Sequence, residues 1–219
     1  MTDKLSKIGT DFLDTLTEEI KQRTQTITCG ELCDCYDRFS DKLKDLRSTS
    51  ANFTGLGELV IFRLILSYLE SYYNSKFDHQ VCTTALKSFK LQGNDLIIGQ
   101  CLPIGHGKTA KRPDITIWEG EGKELLRAIE LKIYLTDGLP ELKSTIQRMM
   151  EWHEIYPKFK GLILIFWKSP ETKRKSGISE EIAQNKLNSD WLKIEILSEN
   201  KEKPFSQIAK ELCAGLRIQ

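Results

Sequence analysis

The sequence predicts an α/β fold, with a central mixed β-sheet flanked by helices and an N-terminal helical extension. Three observations predict it. The run Gly161–Trp167 is continuously apolar and of strand length, as a strand covered on both faces requires. Two further runs, Asp114–Trp118 and Leu125–Ile133, flank a tight turn at Glu119–Lys123 that carries Gly120 and Gly122. Toward the C-terminus strand patterns alternate with helical ones, the order that builds strand–helix–strand crossovers.

Taken in order, residues 1–50 read as the helical extension. Leu5, Ile8, Phe12, Leu16 and Ile20 recur at helical steps, and a turn at Thr28–Gly30 precedes a second stripe of Leu32, Tyr36, Phe39, Leu43 and Leu46. Residues 51–219 read as one compact domain. Thr54 is placed to cap a more apolar helix that runs to about Tyr73. A strand at Leu96–Leu102 follows, then a loop at Pro103–Lys111 and the two strands around the glycine turn. Asp137-Gly138 turns the chain into a helix from Pro140 to Ile155, with proline suited to its first turn. After Gly161–Trp167 come a helix at Ile178–Asn188, a strand at Trp191–Leu197 and a last helix at Phe205–Leu216. Trp118, Trp152, Trp167 and Trp191 fall on these elements and are expected to pack in the core.

The chain of 219 residues is 40% hydrophobic and 29% charged, enough to bury a core and still cover itself, which excludes global disorder. The longest nearly apolar run, Leu59–Leu66, is broken by Arg63 and too short to span a bilayer. Met1–Thr10 is polar and does not resemble a signal peptide, so a cytoplasmic location is expected. With 32 basic against 31 acidic residues the charge is balanced. That argues against a nucleic-acid coat protein but not against an enzyme with one basic groove. Cys29, Cys33 and Cys35 cluster without the usual C-x2-C spacing or a nearby histidine, so small buried thiols on a helix are the expected reading.

The chemically informative stretch is Arg112-Pro113-Asp114-Ile115, followed by Glu130-Leu131-Lys132 in the next strand. Alternation puts Glu130 and Lys132 on one face, and Ile129, Leu131 and Ile133 on the other. The α-carbons of Glu130 and Lys132 are then about 6.6 Å apart, so both side chains can converge on one small ligand. If the strands pair across the turn, Asp114 joins them. Charges set within an apolar run are costly to bury unless paired or bound to metal. Two converging acids suit a hard divalent ion such as Mg²⁺, and a neighbouring lysine can orient water or offset charge on a phosphate. An edge-strand ion pair of little consequence is the plain alternative.

Pro113-Asp114, then fifteen residues, then Glu130-Leu131-Lys132 resembles the PD-(D/E)XK superfamily of restriction endonucleases, resolvases and repair nucleases. The resemblance spans roughly residues 54–167. It implies a restriction-endonuclease-like fold for residues 51–219 and a Mg²⁺-dependent endonuclease, with Mn²⁺ as a substitute. It further implies Asp114 and Glu130 as metal ligands, the main-chain carbonyl of Leu131 as another, and Lys132 positioning the attacking water. The family's upstream helix glutamate corresponds to Glu58, as a direct or water-mediated ligand. On the helical wheel Glu58 lies opposite Arg63, Ser67 and Glu70, among Ile61, Phe62 and Ile65. A first-turn acid favoured by the helix dipole is the alternative.

Lys108, Lys111, Arg112, Lys143 and Gln147 are candidate contacts to a DNA backbone, though solvated positions explain each of them as well. DNA is the expected partner, with a homodimer suited to cutting both strands and no membrane association. A structure-directed nuclease, such as a junction resolvase or a single-strand exonuclease, shares every one of these residues. A nucleic-acid-binding module on the same fold that no longer cuts is a further alternative, against which the intact Asp114, Glu130 and Lys132 argue, and DNA versus RNA stays open.

Overall fold

The structure, a computed structural model, describes residues 18–19, 21–47, 54–81, 87–92, 95–100, 102–104, 111–120, 123–134, 139–167, 182 and 187–216. The apolar stripe of residues 5–16 lies outside them, as does nearly all of the helix expected at Ile178–Asn188. Two long helices come first, α1 (Cys29–Arg47) and α2 (Thr54–Tyr73). Five strands follow: β1 (Phe77–Val81), β2 (Lys87–Leu91), β3 (Ile97–Gln100), β4 (Ile115–Glu119) and β5 (Glu124–Tyr134). Helix α3 (Leu139–Ile155), β6 (Lys160–Trp167), β7 (Leu192–Ile196), a short 3-10 turn at Leu197–Glu199 and α4 (Phe205–Cys213) complete the order.

The strands form one seven-stranded sheet in sequential order. Pairing is antiparallel from β1 to β5 and parallel from β5 through β6 to β7. The sheet is therefore mixed, and the change of direction falls at β5. Gly120 makes the β4–β5 turn possible, since its φ of +64° suits a residue without a β-carbon. A parallel pair cannot be closed by a hairpin, and α3 supplies the crossover between β5 and β6.

Helices cover both faces. Ile129, Leu131 and Ile133 of β5 join Leu162, Leu164 and Phe166 of β6 in one apolar layer with residues of α1, α2 and α4. Ala128 of β5, with Ile163 and Ile165 of β6, packs instead on Leu142, Met149 and Trp152 of α3. The period-two alternation expected for β5 is thus realised. Residues of the N-terminal segment contribute directly to the first layer: Cys29, Leu32, Cys33 and Tyr36 are buried in it. Helix α1 starts with a capping box, in which the Glu31 amide donates to Thr28 Oγ1 (3.2 Å) and the Thr28 amide donates to Glu31 Oε2 (2.8 Å).

Several boundaries differ from expectation. Strands β1 and β2 are not expected from the sequence, because Phe77–Val81 and Lys87–Leu91 are largely polar, although Phe89 and Leu91 of β2 are buried in the core. Strand β4 begins at Ile115, leaving Asp114 just ahead of it. The last helix stops at Cys213 rather than Leu216. Leu187 and Asn188 are not helical. The side chain of Asn188 is occupied elsewhere, Oδ1 accepting the Ile194 amide at 2.7 Å. Trp118 and Trp152 are buried, and Trp167 and Trp191 pack partly buried against the two layers.

Arg127 locks the far end of β5 to α4. Only 3% exposed, it donates to the carbonyls of Leu212 (2.5 Å), Leu126 (2.7 Å), Ala214 (2.8 Å) and Lys158 (3.4 Å). Removing the guanidinium leaves buried acceptors unsatisfied, so Arg127→Met is expected to cost roughly 2–4 kcal/mol of stability. Urea unfolding measures this, and a loss below about 0.5 kcal/mol would show the carbonyls finding other partners.

Candidate active site

The site forms where β5 outruns β4. The last paired residues there are Ile115 and Ile129, whereas β5 continues to Tyr134. Beyond Ile129 the β4 side of β5 is open, and Asp114 fills the first step of it. Asp114 Oδ2 accepts the Leu131 amide at 2.6 Å, doing for β5 what a further residue of β4 would have done. In an extended strand the amide and carbonyl of one residue point to the same side. The Leu131 carbonyl therefore points past the start of β4, beside Asp114. The Leu131 side chain, 9% exposed, belongs to the apolar layer on the opposite side from α3.

Glu130 and Lys132 lie on the α3 face, between residues of the second layer. Helix α3 offers each a counter-charge. Lys132 Nζ is 3.3 Å from Glu141 Oε1, and Arg148 Nη2 donates to Glu130 Oε1 at 3.4 Å. Arg148 Nη2 also donates to Thr145 Oγ1 at 3.4 Å, and Thr145 is anchored by donating to the Glu141 carbonyl. Residues 141, 145 and 148 fall on one helix face at steps of four and three.

Glu58 comes from the second turn of α2, in the other layer. The residue before it, Gly57, allows this close approach: a β-carbon there would stand 2.7 Å from Ile133 Cδ1. Glu58 is half-buried, and it meets Asp114 and Glu130 through space around the end where β4 begins.

The electrostatics record the convergence. Burial, then the neighbouring Asp114 carboxylate, pushes the Glu130 carboxyl up to about 7; Glu58 adds to the rise, while Arg148 and Lys132 oppose it. Burial also raises Asp114, despite the Leu131 amide and the charges of Lys132 and Arg148. Glu58 is raised by burial and by Asp114. Counting Glu141, four carboxylates face two cations, an excess of two negative charges when all are ionised. Such a cluster favours either protons or a cation.

No three His, Cys, Asp or Glu side chains among the described residues are grouped closely enough to hold a metal ion by themselves. Mg²⁺ is commonly held through only one or two carboxylates, with water and substrate phosphate completing the octahedron. Asp114, Glu130 and the outward Leu131 carbonyl fit that smaller set, and Glu58 is near enough to act electrostatically on Glu130 and to feel Asp114. Cys29, Cys33 and Cys35 lie on α1, with Cys29 and Cys33 buried. Burial raises the Cys29 thiol to about 11 and the Cys33 thiol to about 12, which favours the protonated form.

Of the remaining candidates, Lys111 and Arg112 are exposed just ahead of Asp114. Lys111 and Ile104 exchange backbone bonds (2.7 and 3.1 Å) that close the loop between them. Lys108 sits in that loop, outside the described residues. Lys143 and Gln147 are exposed on α3 and form no hydrogen bond or ion pair among the described residues. The side chains that α3 does bring to the site are Glu141, Thr145 and Arg148, which sequence reasoning did not place there. The signal was available, because these residues border the apolar stripe of Leu142, Met149 and Trp152, whereas Lys143 and Gln147 face away.

Among the described residues no helix is long and apolar enough to cross a membrane. No protein-family model and no curated protein matches this chain.

Proposed function

We propose that the protein is a Mg²⁺-dependent endonuclease that hydrolyses phosphodiester bonds of DNA, on a restriction-endonuclease-like version of this α/β fold. The carrying observation is the buried Glu130, raised to about 7 by desolvation and by acids from two other elements, with Lys132 on the same face. A structural ion pair would not gather excess negative charge about a buried carboxylate. A site that must take up a hard cation would.

In this reading Asp114, Glu130 and the Leu131 carbonyl would hold the ion, with Glu58 as a further direct or water-mediated ligand. When bound, Mg²⁺ supplies a polarised water and offsets charge on the phosphate. Lys132 orients the attacking water through its ammonium donors, and Glu141 holds that ammonium at the edge of the site. The Asp114–Leu131 bond fixes the separation between β4 and β5, so the donors are set before substrate arrives. The expected products carry 5′-phosphate and 3′-hydroxyl ends. A homodimer in the cytoplasm, bringing one site to each strand, completes the proposal.

Incubation with supercoiled plasmid, linear duplex, a four-way junction and single-stranded DNA tests it. Cleavage of duplex with Mg²⁺ or Mn²⁺, abolished by chelator, is the expected result. Cleavage confined to junctions or to single strands would mark a structure-directed nuclease on the same residues. No cleavage of any substrate with either ion would overturn the proposal.

A further inference from the structure

Arg148 is a cation of this cluster with hydrogen-bonding capacity to spare. A guanidinium has five N–H donors. Both contacts of Arg148 use Nη2, at 3.4 Å to Glu130 and 3.4 Å to Thr145. Among the described residues Nη1 and Nε make no hydrogen bond, which leaves three donors unspent. Arg127, by contrast, uses all three of its nitrogens on backbone carbonyls. The Arg148 side chain is 32% exposed, while the Glu130 carboxylate it touches is 9% exposed. It thus reaches from solvent to the floor of the site with its fork incompletely engaged.

We propose that Arg148 is a phosphate-binding residue of this site, passing from Glu130 to two oxygens of a nucleic-acid phosphodiester when substrate enters. The inference rests on the proposed nuclease reading and names the substrate contact within it. Four features support it. The pair with Glu130 is long and engages one nitrogen, whereas arginine held for structure on a carboxylate typically makes two parallel bonds. The unspent Nη1 and Nε carry the donors that a planar fork presents to phosphate oxygens. Thr145, anchored to the Glu141 carbonyl, holds the Nη2 corner and so limits how far the fork swings. Lys132 stands 3.3 Å from Glu141 and, in the proposed reaction, directs its remaining donors to the attacking water, so Arg148 is the cation left for the phosphate.

Fluorescence anisotropy of a labelled duplex and of its single strand, titrated in Ca²⁺ and in chelator over a range of salt, tests the assignment. Arg148→Met is expected to weaken binding about tenfold. It should also reduce the slope of log affinity against log salt by about one. Arg148→Lys should recover the slope but not the full affinity, since a point charge replaces a fork. Lys158→Ala, on the Glu119–Glu124 side of the sheet, should change neither. A wild-type protein that binds and cuts, with Arg148→Met equal to it in affinity and slope, would overturn the phosphate role and leave the nuclease reading intact. Arg148-dependent binding without cleavage would support the phosphate site while removing the nuclease. A protein that neither binds nor cuts would overturn both.

Discussion

Lys132→Ala is expected to lower the rate of Mg²⁺-dependent cleavage by about 10²- to 10⁴-fold, the usual cost of removing a group that positions or activates the reacting proton. The fold should survive it. Lys132 is part-exposed, at 20% of its side-chain surface, and its pair with Glu141 sits at the rim, where such pairs are worth about 1 kcal/mol or less. Affinity for DNA should change much less than the rate, because the charge lost is one of several near the phosphate. Single-turnover cleavage, with substrate binding measured separately, distinguishes the two. A variant that cuts at the wild-type rate would remove Lys132 from the chemistry.

Glu130→Gln should have an equally large effect on cleavage and the opposite effect on stability. The carboxyl rises from 4.5 to about 7 on folding, so between those values the native state holds more protons than the unfolded chain. Stability of the metal-free protein therefore falls as pH rises through that window and stays low above it. Removing the ionisable group removes the penalty. Above about pH 7 the variant should be more stable than wild type by roughly 2–3 kcal/mol, with little difference at the acid end. Mg²⁺ should restore stability to the wild-type protein and not to the variant, because a ligand that binds only the native state shifts unfolding by mass action. Urea unfolding across the window, with and without Mg²⁺, reads both effects. A variant less stable than wild type at every pH would show that Glu130 serves the fold rather than a site.

The catalytic candidates were legible in the sequence because they break its local rules. Glu130 and Lys132 interrupt the apolar run of β5, and alternation alone put them on one face. Asp114 was legible through the glycine turn that pairs its strand with β5. Glu58 was legible from its angular position on α2, although its proximity to Asp114 comes from tertiary packing that no local pattern announces. Harder to read was which residues of α3 face the sheet, which follows only once its apolar stripe is laid against β5 and β6. Lys143 and Gln147 are polar residues a turn apart, as are Thr145 and Arg148, and only the packing of Leu142, Met149 and Trp152 decides between them. Strands β1 and β2 were illegible for a related reason. Both are short and largely polar, and β2 is placed by its ladder partners, Phe89 with Ile98 and Lys90 with Ile97, together with the burial of Phe89 and Leu91. Helix α1 of the N-terminal segment packs against the rest of the chain, with Cys29, Leu32 and Tyr36 in the same apolar layer as β5 and β6.

Binding of Mn²⁺ followed by its electron paramagnetic resonance signal reaches the core of this account without requiring a substrate. The wild-type protein should remove free Mn²⁺ from solution, Mg²⁺ should displace it, and the Asp114→Asn/Glu130→Gln double variant should leave the free-ion signal unchanged. Retention of Mn²⁺ by the double variant, or a wild-type protein that takes up none, would contradict the assignment of these two acids to one hard cation.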